Sequence, residues 1–132
     1  MSALELAQSL IKIKSVSPND EGCFDLIEAQ VIPLGFVIER VPELNCETLL
    51  AKFGDSGKVF CFLGHTDIVP SGPEEEWASP PFEANIVDGE LIGRGAADMK
   101  GSVAVFIEAL KRFLKEHPKP NFQIWIMLTS NE

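Results

Sequence analysis

The sequence predicts an α/β fold, a helix-flanked sheet that is largely parallel or mixed, and three observations predict it. Two short runs, "KVFCFLG" and "FQIWIML", are apolar at nearly every position, the pattern of strands buried on both faces. Between them, Val103, Phe106, Ile107, Leu110, Phe113 and Leu114 recur at helical spacing, so the link between the two strands contains an amphipathic helix. A helical crossover of that kind makes the two strands parallel and covers both faces of the pair. The composition agrees: 132 residues, 45% hydrophobic and 23% charged, with a mean hydropathy of +0.11, can bury one modest core.

The elements follow in order. "MSALELAQSLIKIK" reads as an amphipathic first helix with Ser2 and Glu5 at capping-box spacing. Glu5 interrupts any leader-like apolar run, so the stretch is not a signal peptide. "SVSPNDEG" is a turn-rich break, and a second helix runs from about Cys23 to Leu34, ending at "PLGF". "FVIERV" and "ETLLAKFG" read as neighbouring antiparallel strands. The strand over Val59 to Leu63 follows, and then "HTDIVPSGPEEEWASPPF", an irregular segment carrying Pro70, Pro73, Pro80 and Pro81. Loops of this length inside compact domains are functional or disordered. "ANIVDGELIG" is a hairpin turning at Asp88-Gly89. The crossover helix spans Gly101 to Glu116 and stops at "HPKP" before the last strand. No repeat or low-complexity tract interrupts this order.

Charge and cysteine content exclude several classes. Eleven Lys and Arg against 20 Asp and Glu give a net charge of −9, with no basic cluster for nucleic acid or an anionic membrane surface. No apolar run is long enough to span a bilayer. Cys23, Cys46 and Cys61 are odd in number and form no CxxC pair, which fits reduced thiols in a cytoplasmic protein. GxSxG, Walker A, HExxH and paired-cysteine zinc patterns are absent.

Four chemistry-bearing residues stand at related places. His65 and Asp67 follow one apolar strand, Glu132 follows the other, and Asp98 lies at the start of the helix between them. Ligands of open α/β sheets bind outside the carboxyl ends of the strands, so all four converge on one sheet edge. In "HTD", residues two apart point to the same side of an extended segment. Asp67 can then orient His65 by accepting from one ring nitrogen while the other nitrogen meets a metal. "GRGAADMKG" surrounds Asp98 with small residues that permit close backbone approach. Its carboxylate reads as both helix cap and metal ligand, with two oxygens able to bridge two ions. His117 and "EEE" read as solvated surface. Arg94 and Lys100 read first as solvated charges, with attraction of an anionic substrate as the alternative. Trp77 reads as the anchor of its loop, and Trp125 and Cys61 as buried apolar groups.

"SVSPNDEG", "GHTDIVPSGPEEEW", "PFEANIVDGELIGRGAADMKGS" and "LTSNE" resemble, in order and spacing, the succinyl-diaminopimelate desuccinylase family. That family lies within the dinuclear zinc aminoacylase and carboxypeptidase superfamily. The resemblance covers nearly the whole chain; Trp77 and Arg94-Gly95-Ala96-Ala97 favour the desuccinylases over acetylornithine deacetylases. It implies that His65 ligates one zinc and Asp98 bridges both, with Asp67 behind His65, Glu132 as general acid/base, and a cis peptide bond after Asp98. Zinc, two ions per subunit with cobalt as a possible substitute, is the implied cofactor, and a small molecule the substrate.

The implied reaction is hydrolysis of N-succinyl-LL-2,6-diaminopimelate to succinate and LL-diaminopimelate, in lysine and diaminopimelate biosynthesis, by a cytoplasmic homodimer. One departure is Asn131, where the family pattern "TSDEE" has aspartate. The remaining ligands, the rest of the catalytic domain and an inserted dimerisation domain are expected beyond Glu132, making 1–132 the N-terminal part of a catalytic domain. Two alternatives are an acetylornithine deacetylase or related aminoacylase or dipeptidase, and a catalytically inactive fragment.

Overall fold

In the computed structural model, which describes residues Met1–Glu132, Ser2 and Glu5 close the first turn of α1 (Ala3–Ile11) reciprocally. The Glu5 amide donates to Ser2 Oγ at 3.2 Å and the Ser2 amide donates to the Glu5 carboxylate at 2.7 Å, satisfying two end donors at once. α2 (Cys23–Val31) follows, with a 3₁₀ turn over Ile32–Leu34. The Asp20 carboxylate accepts from the Gly22 and Phe24 amides, supplying the start of α2. β1 (Val37–Pro42) then pairs antiparallel with β2 (Glu47–Phe53). Arg40 ties β1 to α2 through Glu28 at 2.6 Å and through Asp25.

β3 (Val59–His65) and β6 (Gln123–Thr129) are parallel, joined by the crossover containing α3 (Gly101–Glu116). β6 also pairs antiparallel with β2, so the sheet is mixed with the order β1-β2-β6-β3. β4 (Ile86–Val87) and β5 (Glu90–Leu91) form the small separate hairpin. Its turn residues Asp88 and Gly89 both have positive φ, 52° and 83°, as a type I′ turn demands.

The core lies on one face of the sheet. Leu49, Ala51, Ile124, Ile126 and Leu128 point at α1, α2 and α3, whose Leu10, Phe24, Ile27, Val103 and Ile107 are almost fully buried. On the opposite face Trp125 and Met127 are half-buried, and Cys61 and Leu63 are exposed. Within residues 1–132, where β3 is the edge of the four-stranded sheet, this corrects three expectations: the parallel pair is helix-covered on one face only, Cys61 is not buried, and Trp125 is not core. Lys52 Nζ instead lies 4.7 Å from the centroid of the Trp125 ring. An all-apolar run signals low polarity, and by itself it does not distinguish a central strand from an edge.

A candidate metal centre at the carboxyl edge of the parallel pair

Because β3 and β6 are parallel, both deliver their following residues to the same sheet edge. His65 is the last residue of β3, opposite Thr129 of β6, and Glu132 lies just beyond β6. The chain clamps this edge further: the Thr66 amide donates to the Thr129 carbonyl at 3.0 Å. The crossover returns to the same place, so Asp98, in an irregular turn over Ala96–Lys100 before α3, meets them. His65 Nε2 lies 3.0 Å from Asp98 Oδ1 and 3.1 Å from Glu132 Oε2. The imidazole is buried, while the two carboxylates face solvent.

Asp98 is not a helix cap. Its backbone is non-helical (φ −132°, ψ 93°), the Asp98–Met99 bond is cis, and α3 starts at Gly101 without a side-chain cap. The small residues around it have a packing reason. Gly95 has φ +87°, and a Cβ there would stand 2.7 Å from Ile68 Cγ2 and 3.2 Å from Lys100 Cδ, so this turn lies hard against the loop leaving β3.

Lys100 is also not solvated. It is 1% exposed, and its Nζ donates to the Leu10 and Ile13 carbonyls at 2.8 and 2.7 Å. Burial pushes its ammonium below the usual lysine range. The result is a strap from the end of α1 to the turn carrying Asp98.

Asp67, 5% exposed, sits behind the histidine. His65 Nδ1 is 3.0 Å from the Asp67 carbonyl oxygen and 3.4 Å from its carboxylate Oδ1. The backbone oxygen therefore takes the closer contact, an arrangement the HxD spacing did not suggest. The Asp67 carboxylate accepts from the Glu132 amide at 3.1 Å and from Ser17 Oγ. Sequence reasoning missed Ser17, fifty residues away. Its only signal was its place in "SVSPNDEG", which docks on the strand exit through the Val16–Ile68 bridge and the Ser15 Oγ bond to the Thr66 carbonyl. Trp77 does anchor its loop, donating from Nε1 to the Ser71 carbonyl at 3.0 Å. His117 and Glu74–Glu76 are exposed.

The cleft over this edge, about 300 Å³, is walled by His65, Asp67, Trp77, Arg94, Asp98 and Glu132. Its donor set fits a divalent metal. One imidazole nitrogen and two carboxylate oxygens lie within 4.8 Å of one another, a nitrogen-and-oxygen set of the kind that holds zinc. With Nδ1 turned to the Asp67 carbonyl, the Nε2 lone pair faces two carboxylates, and a shared cation resolves that repulsion.

Residues 61–132 match the sequence profile of peptidase family M20/M25/M40. The chain belongs to this family. It is 50% identical over 129 residues to a succinyl-diaminopimelate desuccinylase of Marinobacter nauticus, covering 98% of this chain and 34% of that protein. Identity is also 50%, over 127 residues, with the desuccinylase of Aromatoleum aromaticum, covering 96% of this chain and 33% of that one. The chain thus spans about a third of the length of the relatives it matches. Among solved structures it is similar to human carnosine dipeptidase 1, with a TM-score of 0.83 and 26% identity over 96% of this chain and 31% of that one. The fold is shared with an M20 family metallo-carboxypeptidase of Sulfolobus solfataricus, with a TM-score of 0.83 at 23% identity over 97% of this chain and 30% of that chain. No helix here is long and apolar enough to cross a membrane.

Proposed function

We propose that residues 1–132 are the N-terminal part of the catalytic domain of a longer metal-dependent amide hydrolase. Its reaction is hydrolysis of N-succinyl-LL-2,6-diaminopimelate to succinate and LL-diaminopimelate, in lysine and diaminopimelate biosynthesis. The 50% identity to the desuccinylases supports the substrate, and the one-third coverage supports the domain assignment. A cytoplasmic homodimer with two zinc ions per subunit, or cobalt in their place, completes the reading. The observation that carries it is the meeting of His65, Asp98 and Glu132 at one sheet edge.

In this reading His65 and Asp98 would hold the metal, and Asp67 keeps the His65 ring in place. A metal held there would supply Lewis-acid chemistry to the amide carbonyl and to the attacking water. Glu132 takes a proton from the attacking water as the C–O bond forms, then hands it to the amine nitrogen as the C–N bond breaks. Its 67% side-chain exposure leaves it reachable from the cleft, and the Glu132 amide bond to Asp67 fixes its backbone.

The test is Glu132→Gln in the full-length protein, with metal content and turnover measured together. Metal should stay near wild type while kcat falls by roughly 10²–10⁴-fold. Zinc lost along with activity would make Glu132 a ligand, and unchanged turnover would end the acid/base role.

A further inference from the structure

The molecule has three arginines, and two of them are spent on acids. Arg40 is paired with Asp25 and Glu28, and Arg112 with Glu108. Arg94 has no carboxylate partner, in a chain with 20 acidic residues and a net charge of −9. It is not free in solvent either. Its guanidinium carbon lies 5.0 Å from the centroid of the Trp77 ring, and its Nε is sealed from water with no hydrogen-bond partner.

The backbone beneath is held on both sides. The Arg94 amide donates to the Pro81 carbonyl at 2.8 Å, and Gly93 and Gly95 pack where a Cβ would strike Ile11 and Ile68. Trp77 is itself pinned by its bond to Ser71. A guanidinium stacked on an aromatic face keeps its edge available, and that planar fork matches a carboxylate in two parallel bonds. Arg94 walls the cleft that holds His65, Asp98 and Glu132, and among the charged residues there it is the cation among acids.

Building on the amide-hydrolase reading, we propose that Arg94 is a specificity residue that receives a carboxylate of the substrate. The acidic cleft repels an anionic substrate on its own account, and one positioned guanidinium selects a ligand whose carboxylate lies a short arm from the scissile amide. Trp77 fixes where the charge stands, so the pair works as a unit. A lysine at this position would supply charge without the fork.

The test uses the full-length enzyme as wild type, Arg94→Lys and Arg94→Gln, with three amides. These are N-succinyl-LL-diaminopimelate, its N-succinamoyl analogue lacking the acyl carboxylate, and N-succinyl-1,5-diaminopentane lacking the carboxylates of the amine half. Arg94→Gln should raise KM for the first by about 10- to 100-fold, the worth of one charged hydrogen-bonded pair, with kcat within about threefold. The substrate on which the variant makes no difference identifies the carboxylate received, and Arg94→Lys should fall between. In a Trp125→Phe background, titrated succinate or LL-diaminopimelate, whichever carries the received carboxylate, should perturb Trp77 emission with Arg94 present and not in Arg94→Gln. Equal losses on all three amides would overturn the proposal, as would a Trp77 signal indifferent to both succinate and LL-diaminopimelate. If the wild type hydrolyses none of the amides, the hydrolase reading fails, and the fluorescence titration still decides whether Arg94 receives a carboxylate.

Discussion

Along β3 and the residues that leave it, burial and polarity are inverted. Val59, Phe60 and Leu63 are 45%, 56% and 69% exposed, whereas His65, Thr66 and Asp67 are 7%, 0% and 5% exposed. The polar half is buried because its groups have partners. The Thr66 carbonyl accepts from Ser15, Thr66 Oγ1 donates to Asp20, and Asp67 accepts from Ser17 and the Glu132 amide. A satisfied polar group costs little to bury, and an orphaned one costs much. The apolar half is exposed because β3 is the edge of this four-stranded sheet and nothing within residues 1–132 packs on its outer face. Phe60 instead borders an apolar cleft of about 230 Å³ with Phe106 and Phe113 of α3. Within residues 1–132 the two ends of one strand thus differ: a hydrogen-bonded platform lies under the candidate site, and an apolar margin is left uncovered away from it.

Three substitutions probe that contrast, from the largest effect to the smallest. Lys100→Met attacks the buried polar side, stripping the Leu10 and Ile13 carbonyls of their donor. Orphaning buried acceptors should destabilise the protein by roughly 2–3 kcal/mol, read as a lower urea midpoint. A gain in stability would show that the ammonium is merely tolerated there, and that packing alone holds the Asp98 turn.

Asp20→Asn gives an intermediate effect that depends on pH. Burial raises the Asp20 carboxyl above its ordinary 3.8, outweighing the amide bonds from Phe24 and Gly22, the Arg40 charge and the Thr66 hydroxyl. A raised folded-state value means the contribution is fully present below 3.8 and is lost as pH rises through the folded value. The stability of wild type relative to Asp20→Asn should therefore decline from acid toward neutral pH. Unfolding curves across that range check it, and a difference that grows with pH would mean that the hydrogen bonds outweigh burial.

In the 132-residue chain, Leu63→Lys should hardly matter to folding, within about 0.5 kcal/mol, because the side chain is in solvent there. Light scattering of the 132-residue chain should show less self-association, since lysine on a sheet edge opposes edge pairing. A large loss of stability would mean that the exposed half of β3 carries packing after all.

Much of this molecule was legible in local pattern. The capping box at Ser2 and Glu5, the helix period over Gly101–Glu116, the Asp88-Gly89 turn and the parallel placement of β3 and β6 each follow from spacing of a few residues or from one crossover. So does the convergence of His65, Asp67, Asp98 and Glu132, because parallel strands must deliver their ends to one edge. Tertiary structure alone decided the rest. An apolar run does not say what lies against each of its faces, so β3 was expected to be covered on both when, within these residues, helices cover one. Lys100 and Arg94 are charged and flanked by glycine, which locally means surface. Their fates rest on Leu10, ninety residues before Lys100, and on Trp77 across the loop. Ser17 reaches Asp67 only because the segment after α1 docks beside Ile68. Periodicity is a short-range property of the chain, whereas the partner of a buried polar group is chosen by packing between distant segments.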